Sequence, residues 1–144
     1  MIIERYTTAR YKEVLAIVRN FYEEALKEYG GNFDETIFNE TVNKYKDNSF
    51  LLIIDDKCVG VLAGIETTSP LNRDKIFQEI IWYVNEPHRK YGVYFLNKAR
   101  EILKREGYSA IVMACIHNLK TAQLFRFYER HGFIPFETHF LGRL

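Results

Sequence analysis

Apolar side chains recur along the chain in two patterns, the 3.6-residue period of a helix and the alternating or continuous run of a strand. Residues 2–6 form a short strand-like run, after which apolar positions recur at helical spacing until Gly30 and Gly31. A second helical pattern begins at Asp34, a favourable N-cap residue, and continues to residues 47–48. We therefore predict one strand and then two helices.

The middle of the chain predicts three consecutive strands. Residues 50–54 and 58–67 are apolar runs joined by the polar segment 55–57, which is typical of an antiparallel hairpin. After a loop, residues 76–84 form a third run rich in Ile, Trp, Tyr and Val, and this run ends shortly before Pro87.

The last third of the chain alternates helices and strands. Helical spacing at 92–106 is followed by an apolar strand at 109–117, a helix at 119–131 and one or two strands within 133–144. The order predicts an α/β fold with a mixed, mostly antiparallel sheet of six to seven strands, flanked by about four helices. The one parallel pair would lie on either side of the helix 92–106.

Composition adds limits on the kind of protein. The 144 residues are 47% hydrophobic and 27% charged, which suits a single domain, 1–144, with its own core. No apolar run approaches the roughly 20 residues that cross a bilayer, and the first residues lack a secretory pattern, so we expect a cytoplasmic protein without membrane association. Cys58 and Cys115 lack the spacing of a disulfide framework or a metal site.

Charge and aromatic content bear on the ligands. The net charge of +1 makes nucleic acid an unlikely partner, and an anionic small ligand fits residues 73–144, which carry 12 basic and 7 acidic residues. Residues 1–72 carry 8 basic and 12 acidic residues, which mildly favours a cationic partner there. The chain has 11 Phe, 10 Tyr and 1 Trp, and we expect some of them to line an apolar pocket or a homodimer face.

A basic turn carries the clearest chemical signal. Residues 87–94 follow a predicted buried strand and open a helix, so unpaired backbone N–H groups and the positive helix end point outward together. Arg89 and Lys90 add charge, and Gly92 lets the backbone approach a phosphate closely. A diphosphate uses such a site best, although an ordinary polar surface turn is the alternative.

Two motifs resemble those of the GCN5-related N-acetyltransferases. Arg89-x-x-Gly92 resembles the first two fixed positions of the family's pyrophosphate loop, Arg/Gln-x-x-Gly-x-Gly/Ala, while Tyr94 departs at the third. Tyr128-x-x-x-Gly132-Phe133 is similar to the family's Tyr-x-x-x-Gly-Phe signature, and the predicted element order is similar over nearly the whole chain.

This resemblance implies an acetyltransferase that uses acetyl-CoA as cosubstrate and transfers acetyl directly to a primary amine of a small molecule or protein. The cofactor-binding residues that it implies are Tyr83, Val84, Arg89, Lys90, Tyr91, Gly92, Val93, Tyr94, Asn118 and Thr121. Asn118 and Thr121 are included because the family often places an Asn shortly before the signature Tyr.

The resemblance also implies catalytic roles. Tyr128 would protonate the coenzyme A sulfur, although a buried core tyrosine is the alternative. A backbone N–H near Val84, where a bulge would open the strand, would stabilise the oxyanion. No residue is implied as a metal ligand.

Glu79 is the best candidate for the base. Strand alternation places it on one face with Phe77, Ile81 and Tyr83, where apolar neighbours would raise its pKa towards neutrality. A surface Glu79 paired with a basic side chain is the alternative, and His117 and Glu66 are further candidates.

The resemblance and the charge distribution together indicate where the acceptor would lie. We expect the acceptor between the two N-terminal helices and the strands that begin at residues 58 and 76, with a cationic amine such as a polyamine, aminoglycoside or lysine favoured by the acidic balance. The alternative function is a non-catalytic acyl-CoA-binding or regulatory module on the same fold.

Overall fold

The structure, a computed structural model, describes residues 1–118 and 120–144. Leu119, the first residue of the predicted last helix, lies outside the described residues. The chain divides into two compact units, Met1–Ala114 and Cys115–Leu144, and each is described by itself. Across the described residues, no helix combines the length and apolarity that a membrane crossing requires.

The first unit holds a mixed sheet and three helices. Its elements are β1 (Ile2–Arg5), α1 (Tyr11–Phe21), α2 (Glu35–Lys44), β2 (Ser49–Ile54), β3 (Lys57–Thr68), β4 (Lys75–Val84), α3 (Gly92–Arg105) and β5 (Ala110–Val112). The second unit holds α4 (Thr121–Arg130). The strands lie in the order β1-β2-β3-β4-β5, and only β4 and β5 run parallel.

The predicted mixed sheet, its one parallel pair and its four helices are confirmed, but the predicted number of six to seven strands is wrong. Within the described residues the sheet has five strands. Residues 133–144 form no strand, and Ile134, Phe136 and Phe140 are largely exposed. Strand-forming residues become a strand only when they pair with a neighbour, and β5 itself is three residues long rather than the predicted nine.

Local signals explain the first two helices. α1 continues as one turn of π-helix, Tyr22–Leu26, and a short 3₁₀ turn, and the helical region ends as predicted at Gly30, whose φ is +87°. Asp34 caps α2 as predicted, because its carboxylate accepts the N–H groups of Thr36 at 2.9 Å and Ile37 at 3.1 Å.

The hairpin between β2 and β3 also follows the sequence. Asp55 and Asp56 have φ values of 50° and 60°, the left-handed conformation of the two-residue turn whose twist matches antiparallel strands. One face of the sheet buries apolar residues against the N-terminal helices; the cluster includes Val14, Ile17 and Val42 from the helices and Leu51, Ile53 and Val61 from the strands.

A β-bulge interrupts β4 at Ile80. Ala63 of β3 faces Ile81, whereas the next residue, Gly64, faces Glu79, so Ile80 has no partner on β3. The extra residue reverses the alternation of side chains. The expected bulge near Val84 is therefore wrong in place, since Val84 pairs regularly with Gly60.

The bulge also corrects the predicted face of Glu79. Phe77 and Glu79 share one face of β4, whereas Ile81 and Tyr83 pack on the opposite face against the α1 and α2 core. Gly64 lies opposite this break, and a Cβ there would stand 2.5 Å from both the Gln78 carbonyl oxygen and the Phe77 ring. Only glycine fits at that point of β3.

Candidate active site

Glu79 has a carboxyl group suited to proton transfer at neutral pH. Its side chain is half-buried, directly before the bulge, and its Oε2 accepts the backbone N–H of Ala114 at 2.7 Å. Burial raises the pKa of Glu79 to about 7, and the bond from Ala114 opposes this only in part. A carboxyl with this pKa exchanges its proton readily near pH 7, as a general base must.

One edge of β4 is open beside Glu79. β5 pairs only with Ile76–Gln78, so among the described residues Glu79 and residues 81–84 pair in the sheet with β3 alone. Backbone N–H and C=O groups along such an edge can pair with an extended ligand that carries amide groups.

Beyond β4, a tight turn leads into α3. Glu86–Tyr91 form a 3₁₀ helix, and α3 begins at Gly92, whose first N–H groups form the positive helix end. Gly92 has an ordinary helical φ of −57°, and an added Cβ would meet only the Trp82 ring at 3.6 Å. Because neither backbone conformation nor internal packing demands a glycine, its small size leaves room for a ligand at the helix start.

The predicted binding residues on this turn differ in their solvent exposure. Lys90 is exposed, with its Nζ 5.0 Å from the centre of the Tyr91 ring. Val93 is exposed and Tyr94 half-buried in the first turn of α3. The structure thus gathers these residues at one end of α3, as the basic turn predicts.

Arg89 forms an ion pair that the sequence did not indicate. Its Nη2 lies 2.8 and 2.7 Å from the two carboxylate oxygens of Glu24, in the π-helical turn, and its Nε donates to the Val84 carbonyl at 3.3 Å. The Tyr83 hydroxyl donates to the same Glu24 carboxylate at 2.6 Å, and burial followed by this carboxylate raises the pKa of Tyr83 above its usual value.

This cluster joins Tyr83, Val84 and Arg89, three of the residues expected to bind the cofactor, to Glu24. No sequence pattern could have identified Glu24, because it lies 59 residues from Tyr83 and 65 from Arg89 in the chain. A phosphate that binds the guanidinium of Arg89 must compete with this carboxylate or share Arg89 with it.

Tyr128, Asn118 and Thr121 belong to the second unit. Tyr128 is buried in α4, with ring centres of Phe127 and Phe133 at 5.8 and 5.3 Å. The Thr121 hydroxyl accepts the Asn118 N–H at 2.7 Å and donates to the Asn118 carbonyl, so these two residues shape the start of α4.

The other candidate groups are less suited to catalysis. His117 is exposed, and Glu66 is an exposed residue whose carboxylate lies 3.2 Å from Lys75. Burial raises the pKa of the Cys58 thiol to about 12 and also raises that of Cys115, which disfavours either as a thiolate nucleophile. Throughout residues 1–118 and 120–144, no three His, Cys, Asp or Glu residues cluster as metal ligands would.

A cavity of about 230 Å³ lies in the first unit between the N-terminal helices and the sheet. Residues of α1, the π-helical turn, α2 and strands β2 to β4 line it, including Ile80 and Ile81 beside the bulge. Some aromatic residues were expected to line an apolar pocket, and Phe21, Phe33 and Phe38 lie on the wall of this one.

Solved structures of acetyltransferases share this fold. A ribosomal-protein-alanine N-acetyltransferase from Brucella melitensis biovar Abortus 2308 is 14% identical, with a TM-score of 0.77 over 99% of this chain and 98% of that chain. An aminoglycoside acetyltransferase from an uncultured soil metagenomic sample is 15% identical, with a TM-score of 0.75 over 99% of this chain and 97% of that chain.

A third solved structure, a GNAT family acetyltransferase from Staphylococcus aureus subsp. aureus USA300_TCH1516, is 17% identical, with a TM-score of 0.69 over 99% of this chain and 98% of that chain. Among curated protein sequences, none matches significantly. The family model "Acetyltransferase (GNAT) family" matches residues 15–133. The chain therefore belongs to the GNAT acetyltransferase family.

Proposed function

We propose that this chain is an enzyme of one domain, 1–144, which transfers acetyl from acetyl-CoA directly to a primary amine in the cytoplasm. The observation that carries the proposal is the half-buried Glu79 carboxyl, with a pKa of about 7, directly beside the bulge and the open edge of β4. A carboxyl placed beside the bulge can accept the proton of an ammonium group at neutral pH.

Several features support acetyl-CoA as the cosubstrate. The N-terminus of α3 offers N–H groups to a diphosphate, and Gly92 keeps that helix end uncrowded. Lys90 and Arg89 supply positive charge there, and the open edge of β4 suits the amide groups of the pantetheine arm. Tyr83, Val84, Tyr91, Val93 and Tyr94 complete the proposed binding surface.

In the proposed reaction, Glu79 accepts a proton from the substrate ammonium, and the resulting amine forms a bond to the thioester carbonyl carbon. The carbon–sulfur bond breaks, and a proton from Tyr128 neutralises the departing thiolate. A second proton leaves the nitrogen for solvent, and Tyr128 takes up a proton from solvent. The products are an acetamide and coenzyme A. The role of Tyr128, and cofactor contacts from Asn118 and Thr121, rest on the sequence motif alone.

Calorimetric titration with acetyl-CoA, combined with a thiol-release assay on a panel of primary amines, tests this function. We expect saturable binding that weakens in Arg89→Ala, and amine-dependent thiol release that Glu79→Gln reduces by about 100-fold or more. Binding without release for any amine would favour the acyl-CoA-binding module instead. Absence of acetyl-CoA binding would overturn both.

A further inference from the structure

The walls of the 230 Å³ cavity are almost entirely apolar. They include Val14, Val18 and Phe21 of α1, Phe33 of the segment between α1 and α2, Ala63 of β3 and Ile81 of β4. Among the described residues, no Asp, Glu, Lys, Arg or His lines the cavity. The acidic residues of 1–72, which suggest a cationic acceptor from the sequence, therefore do not reach it.

Three of the hydroxyl groups on the walls donate hydrogen bonds within the protein. Tyr22 donates to the Gly31 carbonyl at 2.6 Å, Thr41 to the Ile37 carbonyl at 2.9 Å, and Ser49 to the Tyr45 carbonyl at 2.9 Å. A ligand in the cavity would gain mainly apolar contact, and a second positive charge would lose its hydration without a carboxylate to replace it.

The cavity lies beside the bulge that directly follows the candidate base in β4. Ile80 and Ile81 form part of its wall and directly follow Glu79, whose side chain lies on the opposite face of β4 from Ile81. An acceptor whose apolar part fills the cavity must therefore extend a short arm around the open edge of β4 at the bulge to bring its amine to the carboxyl of Glu79.

We propose that the cavity binds the apolar part of the acceptor, which is a primary amine bearing an aromatic ring or a branched aliphatic group. This inference rests on the proposed function. The volume agrees with it, since apolar cavities of about 150 Å³ are large enough for a benzene ring. A cavity of about 230 Å³ holds such a ring and a short carbon linker.

Primary amines that differ in the group attached to the amine test the acceptor class. In the thiol-release assay, 2-phenylethylamine should exceed ethanolamine and spermidine in kcat/KM by about tenfold or more, because burial of the ring favours its transition state. Equal or higher kcat/KM for ethanolamine or spermidine would overturn the inference.

Filling the cavity provides a test within the protein. Ala63, which is 7% exposed, lies on the wall, and Ala63→Leu should raise KM for 2-phenylethylamine about tenfold while acetyl-CoA affinity stays unchanged. Ala16→Leu, on the exposed face of α1, is the matched control and should change neither value. Val18→Phe fills the same cavity from α1 and replaces Ala63→Leu if that variant fails to fold. Unchanged KM in the folded cavity variant would contradict the inference.

A ligand that cannot react separates this inference from the proposed function. We expect 2-phenylethanol, which lacks the amine, to bind saturably by ligand-observed NMR without acetyl-CoA, and Ala63→Leu to abolish that binding. This result would support the cavity as a binding site even if no amine were acetylated, in which case the proposed function alone would fail. Absence of saturable 2-phenylethanol binding to the wild-type protein would overturn the inference while acetyl-CoA binding remained intact.

Discussion

Ionisation of Glu79 should make the folded protein less stable at high pH. Its pKa is raised from 4.5 to about 7 in the folded state, so between these values the unfolded chain has released a proton that the folded protein still holds. Stability from the neutral carboxyl is fully present below pH 4.5 and is lost as the pH rises through about 7. The loss amounts to roughly 3 kcal/mol.

Glu79→Gln removes this titration. The Gln side-chain oxygen can still accept the Ala114 N–H, so the variant keeps this hydrogen bond. We expect the variant to resemble the wild type in unfolding free energy near pH 4, and to gain roughly 3 kcal/mol relative to it near pH 8.

Urea unfolding of both proteins across this pH range measures the difference. Glu40→Gln, at an exposed position of α2, is the control and should change the unfolding free energy by less than about 0.5 kcal/mol at either pH. If the gain of Glu79→Gln over the wild type were the same at both pH values, the pKa argument would be refuted. In the active enzyme, kcat/KM should rise with pH through about 7.

Three further substitutions test packing, pairing and capping. Gly64→Ala should cost roughly 3 kcal/mol of unfolding free energy, because the added Cβ would lie only 2.5 Å from neighbouring atoms. Gly142→Ala is the control and should cost little, because no atom lies within 4 Å of its added Cβ. Similar costs for the two variants would contradict the packing at the bulge. Glu24→Gln should tighten acetyl-CoA binding about threefold in calorimetry by releasing Arg89, and weaker binding would argue that Glu24 helps to hold the ligand. Asp34→Ala should cost about 1 kcal/mol in urea unfolding, and Asp34→Asn should retain most of the cap.

The parts of the fold that depend on local chemistry could be predicted. Asp34 caps α2 through bonds two and three residues away, and the turn at Asp55 and Asp56 needs only a left-handed conformation that Asp tolerates. Gly30 ends the N-terminal helical region for a similarly local reason, its positive φ. Each of these signals lies within a few residues of the structure it determines.

Features that depend on distant pairing could not be predicted. The bulge at Ile80 follows from how β4 aligns with Gly64 of β3, and alternation within β4 alone places Glu79 on the wrong face. The missing C-terminal strands show the same limit, because the apolar residues of 133–144 look strand-forming without revealing whether a partner is available.

The candidate site also combines residues that are close in sequence with residues that only the fold brings together. Tyr83, Val84 and Arg89 lie within seven residues of one another in the sequence, and hydrogen bonds of Arg89 bring them together in the structure. Glu24 joins them from a distant helix, and the cavity between the N-terminal helices and the sheet arises only when these elements pack. Their contribution becomes visible only in three dimensions.

The central claim is that this chain transfers acetyl from acetyl-CoA to an amine without a covalent enzyme intermediate. Mass spectrometry of a reaction with isotopically labelled acetyl-CoA and 2-phenylethylamine tests it most directly. We predict a labelled N-acetyl amine, one equivalent of coenzyme A for each product, and no label on the protein, consistent with the raised pKa of both thiols. Label on Cys58 or Cys115, or saturated acetyl-CoA that never loses its acetyl group to any amine of a broader panel, would contradict it.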